Sequence, residues 1–279
     1  MNEQSSLPEL LEERFGQSIE IHEDAQPGLP FLEMLAAHRV HRKYADREVP
    51  RELIELLCAC ALSAPSKSDL QQRDIIIVED PSTRRSIAER LPHMPWAGEA
   101  PAFVVFCING RRLPAISSWR QKPFPNDHFD LLFNGIGDAA IALSWFLIAA
   151  ESVGLSGCPI SELRNFSNDV SEWLGLPDRV IPFAGFCLGW PAEEGQISPR
   201  LPLDVTVHSD RFSEAGLRGR IDGYDRRREQ LQPFAEQKDV GRWGTLPEYG
   251  WSEQKARQYA VPQRTDFGAF VRAKGFNLD

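Results

Sequence analysis

"AAESVGLSGCPISELRN", Ala149 to Asn165, is the stretch whose reading decides the fold. Its first residues close an apolar helix that the pattern places from Phe129 to Val153. "SGCPIS" then reads as a short strand. Outward from there, "FSNDVSEWLGLPD" (166–178) reads as a helix with a Ser or Asn cap and a glycine-proline exit, and "VIPFAGFCLGW" (180–190) as a strong strand. On the other side, "DIIIVED" (74–80) and "AFVVFCING" (102–110) are β-branched and aromatic runs bounded by turn residues, with a helix at "PSTRRSIAERL" between them. Helices separated by strands make an α/β or α+β layered fold.

The flanks are more polar. "VPRELIELLCACALSAPS" is a helix with Pro50 in its first turn and Leu53, Leu56, Leu57, Cys60 and Ala61 on one face. "FLEMLAAHRV" is an amphipathic helix that runs into a basic cluster. The first thirty residues form an arm with a short helix at Leu7–Phe15. After Pro191 come a loop, a charged helix from Gly216 to Glu236, a mobile loop at "KDVGRWGTLPEYG" and a helical tail around Pro262. The expected organisation is an N-terminal arm (1–27), a core (28–212) and a C-terminal helical extension (213–279).

With 279 residues and 42% hydrophobic content, the chain can bury a full core. A net charge of −9, with no extended basic stripe, excludes a nucleic-acid role. "MNEQSSLPELLEERFG" lacks the apolar segment and cleavage site of a signal peptide. The run Ala139–Ala150 covers about half of the ~20 residues a membrane span needs and reads as a buried core helix. Five scattered cysteines without a CxxC pair suit a reducing cytoplasm.

"GIGDAA", Gly135 to Ala140, matches the dinucleotide fingerprint, but no convincing strand leads into it, so its small residues read as close helix packing. The six histidines include no metal spacing, and no metal centre is expected. "HRVHRKY", His38 to Tyr44, places five basic or potentially basic side chains in seven residues against the prevailing charge. Arginine offers a planar fork of donors for phosphate, and a solvated charged face is the plain alternative. Spacing lets Arg39 and Arg42 share a helical face, with Lys43 off it. "ISPRLP" adds Arg200, fixed between two prolines.

Taken in order, "HRVHRKY", "LSAPSKSDLQQRDIIIVED", "AAESVGLSGCPISELRN" and "LGLPDRVIPFAGFCLGWPAEEGQISPRLPLDVTVH" resemble the FMN-dependent nitroreductase family, in particular its oxygen-insensitive major nitroreductase and NADPH-flavin reductase branch. The resemblance covers residues 31–208 firmly and the tail loosely. It implies an α+β fold, a mixed β-sheet flanked by helices, and an intertwined homodimer with the C-terminal extension wrapped around the partner. The implied activity is ping-pong hydride transfer from NAD(P)H through FMN to nitroaromatics, quinones or flavins. The alternatives are a specialised reductase of one activated C=C, C–halogen or N–O substrate, or a non-catalytic flavin-binding protein. By resemblance, His38, Arg39 and Arg42 meet the flavin and Arg200 pairs with its phosphate. Ser66 and Ser68 line its ribityl or pyrimidine side, and Pro159, Ile160 and Ser161 run under the reactive ring edge. Arg42, Ser161 and Glu162 are the expected catalytic set, with Arg42 stabilising the charge of the reduced ring. Lys238 and Arg242 favour NADPH over NADH. Val40, Ser198 and Pro95 depart from the family's polar contacts. Glu162 stands where relatives have glycine and either points to solvent or places a carboxylate near the substrate.

Overall fold

The structure is a computed structural model that describes residues 5–279; residues 1–4 of the expected arm lie outside the described residues. The packing does not follow the linear arm, core and extension. Among the described residues, one compact unit joins residues 5–39 with Gln196–Gln263, and a second joins Val40–Gly195 with Arg264–Asp279.

The first unit opens with α1 (Leu7–Phe15) and α2 (Leu29–Ala36). Glu9 reaches back to accept the Ser6 backbone N–H at 2.7 Å, which satisfies an otherwise unpaired donor at the start of α1. Gly16, at φ 67°, ends the helix in the left-handed region that glycine tolerates. Leu7, Leu10, Ala36 and Ile197 form this unit's small core.

The second unit begins with α3 (Arg51–Leu62), β1 (Arg73–Ile77), α4 (Pro81–Glu89), α5 (Pro95–Glu99) and β2 (Ala102–Asn109). It continues through α6 (Arg112–Trp119), α7 (Phe129–Ser152), β3 (Ser156–Ile160), α8 (Ser167–Trp173) and β4 (Val180–Gly189). The chain then returns to the first unit with α9 (Leu203–Thr206), α10 (Leu217–Leu231), α11 (Val240–Trp243) and α12 (Trp251–Tyr259), and α13 (Phe267–Ala273) completes the second. The loop expected at "KDVGRWGTLPEYG" therefore contains one short helix.

The α+β class holds, with a four-stranded sheet in the order β1-β2-β4-β3. Every pairing within the chain is antiparallel, where a mixed sheet was expected. The reason lies in the connections. The segments from β1 to β2 and from β3 to β4 leave and re-enter at the same end of the sheet, so each neighbour runs the opposite way. Helix α7 alone carries the chain back across the sheet between β2 and β3, and those two strands are separated by β4.

Two apolar layers cover the sheet. Phe146 of α7 is fully buried and meets Phe106 and Phe186 edge-on at 5.5 and 5.4 Å. Phe103, Val105, Ile160, Leu163 and Cys187 belong to the opposite layer. In α3 the buried residues are Ile54, Leu57 and Ala61, whereas Leu56 and Cys60 of the expected face are exposed. Helix α7 is long and apolar enough to cross a membrane, yet Leu131, Leu132, Gly135, Ala139, Ala142, Phe146 and Ala150 bury one stripe of it. The other stripe, with Phe133, Ile136, Ile141 and Trp145, is exposed. The expected core helix is thus buried on one side. A Cβ on Gly135 would lie 2.5 Å from Ile108, so this glycine of "GIGDAA" does permit close packing.

Candidate functional site

The basic stretch is not helical. In the first unit, α2 ends at Ala36, and the buried Arg14 guanidinium donates to the carbonyls of Ala36 and His38 there, at 2.8 and 2.6 Å. In the second unit, His41 N–H donates to Gly157 O at 3.3 Å and Tyr44 pairs with Pro191. The shared helical face expected of Arg39 and Arg42 therefore does not form. Lys43 pairs with Glu193 at 2.8 Å, both of them solvated.

His41 is a structural residue. Gly195 N–H donates to its Nε2 at 3.2 Å, so that nitrogen is the acceptor and Nδ1 carries the proton, which faces Ser156 Oγ at 2.5 Å. Arg42 stands apart from these ties. Its guanidinium lies 5.5 Å from the centre of the Trp96 ring. Burial pushes the Cys158 thiol up, and the adjacent Arg42 charge opposes that shift. Arg42 thus sits beside β3, at the strand that leads into the turn of Pro159, Ile160 and Ser161.

From Cys158 to Ser161 burial alternates as an extended backbone requires. Pro159 and Ser161 are exposed, whereas Ile160 is 2% exposed and belongs to the core. Ile160 can therefore offer a ligand only its backbone. Glu162, next on the turn, does not simply point to solvent. Its Oε1 is 2.7 Å from His93 Nε2, and the His93 ring is the more exposed partner. Sequence reasoning weighed Glu162 without this partner, which lies on the segment after α4.

Ser66 and Ser68 lie on the loop between α3 and β1, and their roles differ. The Ser66 hydroxyl donates to Asp138 Oδ2 at 2.7 Å and accepts from Gln71 N–H at 2.7 Å, so it is occupied inside the loop. Ser68 is exposed, at φ 50°.

In the first unit, Ser198–Arg200 is held by four contacts, one of them from Arg14 Nη1 to Ser198 O at 3.3 Å. Arg200 N–H donates to Arg14 O at 2.7 Å, Tyr224 OH to Pro199 O at 3.0 Å and Arg227 to Arg200 O at 2.9 Å. The Arg200 side chain is left exposed on the wall of a cavity of about 700 Å³, which is also lined by His38, Tyr224, Arg228, Phe234, Trp251 and Lys255. Among the described residues, no carboxylate lines this cavity. Arg228 Nε is buried without a hydrogen-bond partner. The Lys255 ammonium is held below its ordinary pKa by burial and by the neighbouring Lys238 and Arg228 charges. Crowded cations and an unsatisfied donor without a counter-charge fit an anionic ligand such as a phosphate ester. Arg228 and Lys255 were missed in the sequence because nothing in their spacing sets them apart from a charged helix. Arg242, the other expected nicotinamide-phosphate residue, lies over the Trp243 ring at 4.7 Å. Among the described residues, no three His, Cys, Asp or Glu side chains converge as metal ligands.

Known proteins share this arrangement of strands and helices. The sequence profile of the nitroreductase family matches residues 35–190, and that of the family's C-terminal domain matches residues 198–279. The NADPH-flavin oxidoreductase of Vibrio harveyi is 31% identical over 88% of this chain and 97% of its own. The oxygen-insensitive NADPH nitroreductase of Salmonella typhimurium is 34% identical over 66% of this chain and 75% of its own. Among solved structures, NfrA2 of B. megaterium matches with a TM-score of 0.80 at 27% identity, covering 89% of this chain and 98% of that one. The chain belongs to the nitroreductase family.

Proposed function

We propose that this protein is an FMN-dependent oxidoreductase that carries electrons from NAD(P)H to nitroaromatics, quinones or flavins. Membership of the family and the flavin reductases among its relatives support the reading. The observation that carries it is the cavity of the first unit, which gathers Arg200, His38, Arg228 and Lys255 with no acid among the described residues. When bound, FMN supplies hydride exchange between a reduced nicotinamide and an oxidised acceptor.

The chain's own residues bind and orient. His38, Arg39 and Arg200 are offered to the flavin phosphate. Arg42 presents a fixed positive charge to the ring, where charge accumulates on reduction, at no cost of reorganisation. Pro159, Ser161 and the backbone of Ile160 form the surface under the reactive edge. Lys255, with Lys238, adds cations that suit the extra phosphate of NADPH over NADH.

A homodimer is part of the proposal. The exposed stripe of α7, with Phe133 at 62% and Trp145 at 43% exposure, is an apolar face that a second copy would cover. The five free cysteines, three of them buried, suit a reducing cytoplasm.

A specialised reductase is the second reading, and the His93–Glu162 pair favours it. A carboxylate and an imidazole held together beside the turn after β3 would filter acceptors by charge. The deciding measurement is the visible spectrum of the purified protein, followed by NADPH without oxygen. Flavin bands that bleach are expected. A protein that stays colourless after FMN is added overturns the reading.

A further inference from the structure

"GIGDAA" has a use that does not involve its glycines. Asp138, the acid within it, is 2% exposed in the middle of α7. One carboxylate oxygen accepts from Lys67 N–H at 3.3 Å. The other accepts from the Ser66 hydroxyl and from Gln72 N–H, both at 2.7 Å. Arg73, also buried, lies 3.5 Å from the same carboxylate. A single side chain thus holds both ends of the segment between Ser66 and Gln72.

That segment needs holding. Ser68, Asp69 and Gln71 have φ values of 50°, 57° and 53°, the left-handed region in which residues other than glycine are disfavoured. Several such residues in one short loop persist only where their surroundings fix them. The Gln71 N–H reaches Ser66 Oγ, so Ser66 extends the grip of Asp138 into the loop. The two serines are then chemically unlike. Both the proton and an acceptor site of the Ser66 hydroxyl are committed within the loop. The Ser68 hydroxyl makes no hydrogen bond among the described residues and faces outward.

We infer that Asp138 is a positioning residue for the flavin loop, and that Ser68, not Ser66, is the serine that meets the cofactor. The inference rests on the flavin reading for the identity of the ligand, and on the hydrogen bonds above for the hold on the loop. A loop that is in its binding shape only part of the time weakens the apparent affinity by that fraction. Loss of hydrogen bonds to a charged group opens such a loop by about tenfold or more.

The test uses the full-length protein with Asp138→Asn, Ser66→Ala, Ser68→Ala and the Asp138→Asn/Ser66→Ala double variant. Three quantities are read: melting temperature, the rate of tryptic cleavage after the exposed Lys67 without flavin, and the FMN dissociation constant from flavin fluorescence. Asp138→Asn is expected to speed cleavage and raise the dissociation constant together, each by about tenfold. Ser66→Ala is expected to do the same to a smaller extent, and the double variant to be no worse than Asp138→Asn alone, because both act on one network. Ser68→Ala is expected to weaken FMN binding with cleavage unchanged.

Should Asp138→Asn fail to fold, Ser66→Ala leaves the Arg73–Asp138 pair intact and reads the same loop. The inference is overturned if Ser66→Ala weakens FMN binding without faster cleavage, since Ser66 would then be a direct ligand. It is equally overturned if Asp138→Asn leaves both quantities unchanged. Wild-type protein that binds no FMN would overturn the flavin reading, and the cleavage rates would still decide whether Asp138 holds the loop.

Discussion

Two groups of buried or half-buried charge differ in how they are compensated. In the second unit, Asp138 and Arg73 are almost fully enclosed, and each is supplied with partners from the chain. Arg73 donates to the carbonyls of Leu62 and Ala64 at the end of α3, at 2.9 and 2.7 Å, as well as lying against Asp138. In the first unit, Arg228 and Lys255 line a cavity with no acid among the described residues, and the Lys238 charge also acts on Lys255. A charge that the chain itself satisfies holds the fold. Charges of one sign left facing each other raise the energy of the protein alone and are relieved by a ligand of opposite sign.

The largest effect that could break this comparison is on Arg73. Arg73→Leu would leave Asp138 buried without its counter-charge and uncap α3, and is expected to cost about 3–5 kcal/mol in urea unfolding. A loss below about 1 kcal/mol would mean that the enclosed pair is no more structural than a surface one.

Lys255→Gln should do the reverse. Stability is expected to stay within about 0.5 kcal/mol of the parent, because the repulsion removed offsets the one part-buried hydrogen bond lost, from Lys255 Nζ to Gln258 Oε1 at 3.0 Å. The preference for NADPH over NADH, measured as a ratio of kcat/KM, is expected to fall by about tenfold, the scale of one hydrogen bond to a phosphate. Equal efficiency with both reductants in the parent protein would remove the ligand half of the comparison.

The smallest effect is on pH dependence. The folded Lys255 pKa lies below its ordinary value of 10.5. Between the folded and the ordinary value the unfolded chain binds more protons, so this group's contribution to stability rises with pH across that window. The rise should be absent from Lys255→Gln, and the difference between the two stability curves measures it. A difference of opposite slope would mean that Lys255 has an acidic partner.

Most elements were legible because their period was. Helix α1 was expected at its observed bounds, three of the four strands fell within the expected runs, and β1 begins one residue before its run, at Arg73. The site was less legible, for a physical reason. Asp138 acts on residues 66 and 72 positions earlier, and His93 and Glu162 meet from separate segments, so no local spacing announces either group. The basic stretch was misjudged as helical because a helical period carries on past Ala36, where α2 stops and Arg14 takes the carbonyls of Ala36 and His38. Its resemblance to a family motif was informative all the same, since that does not depend on the local conformation.

One tie of that stretch has a consequence for solubility. β3 lies at the edge of the sheet, where unpaired backbone groups invite another chain to add a strand. His41 occupies this edge, bonded through its backbone to Gly157 and through its ring to Ser156. The segment therefore shields the rim of the sheet, a guard against aggregation made from the residues around Arg42.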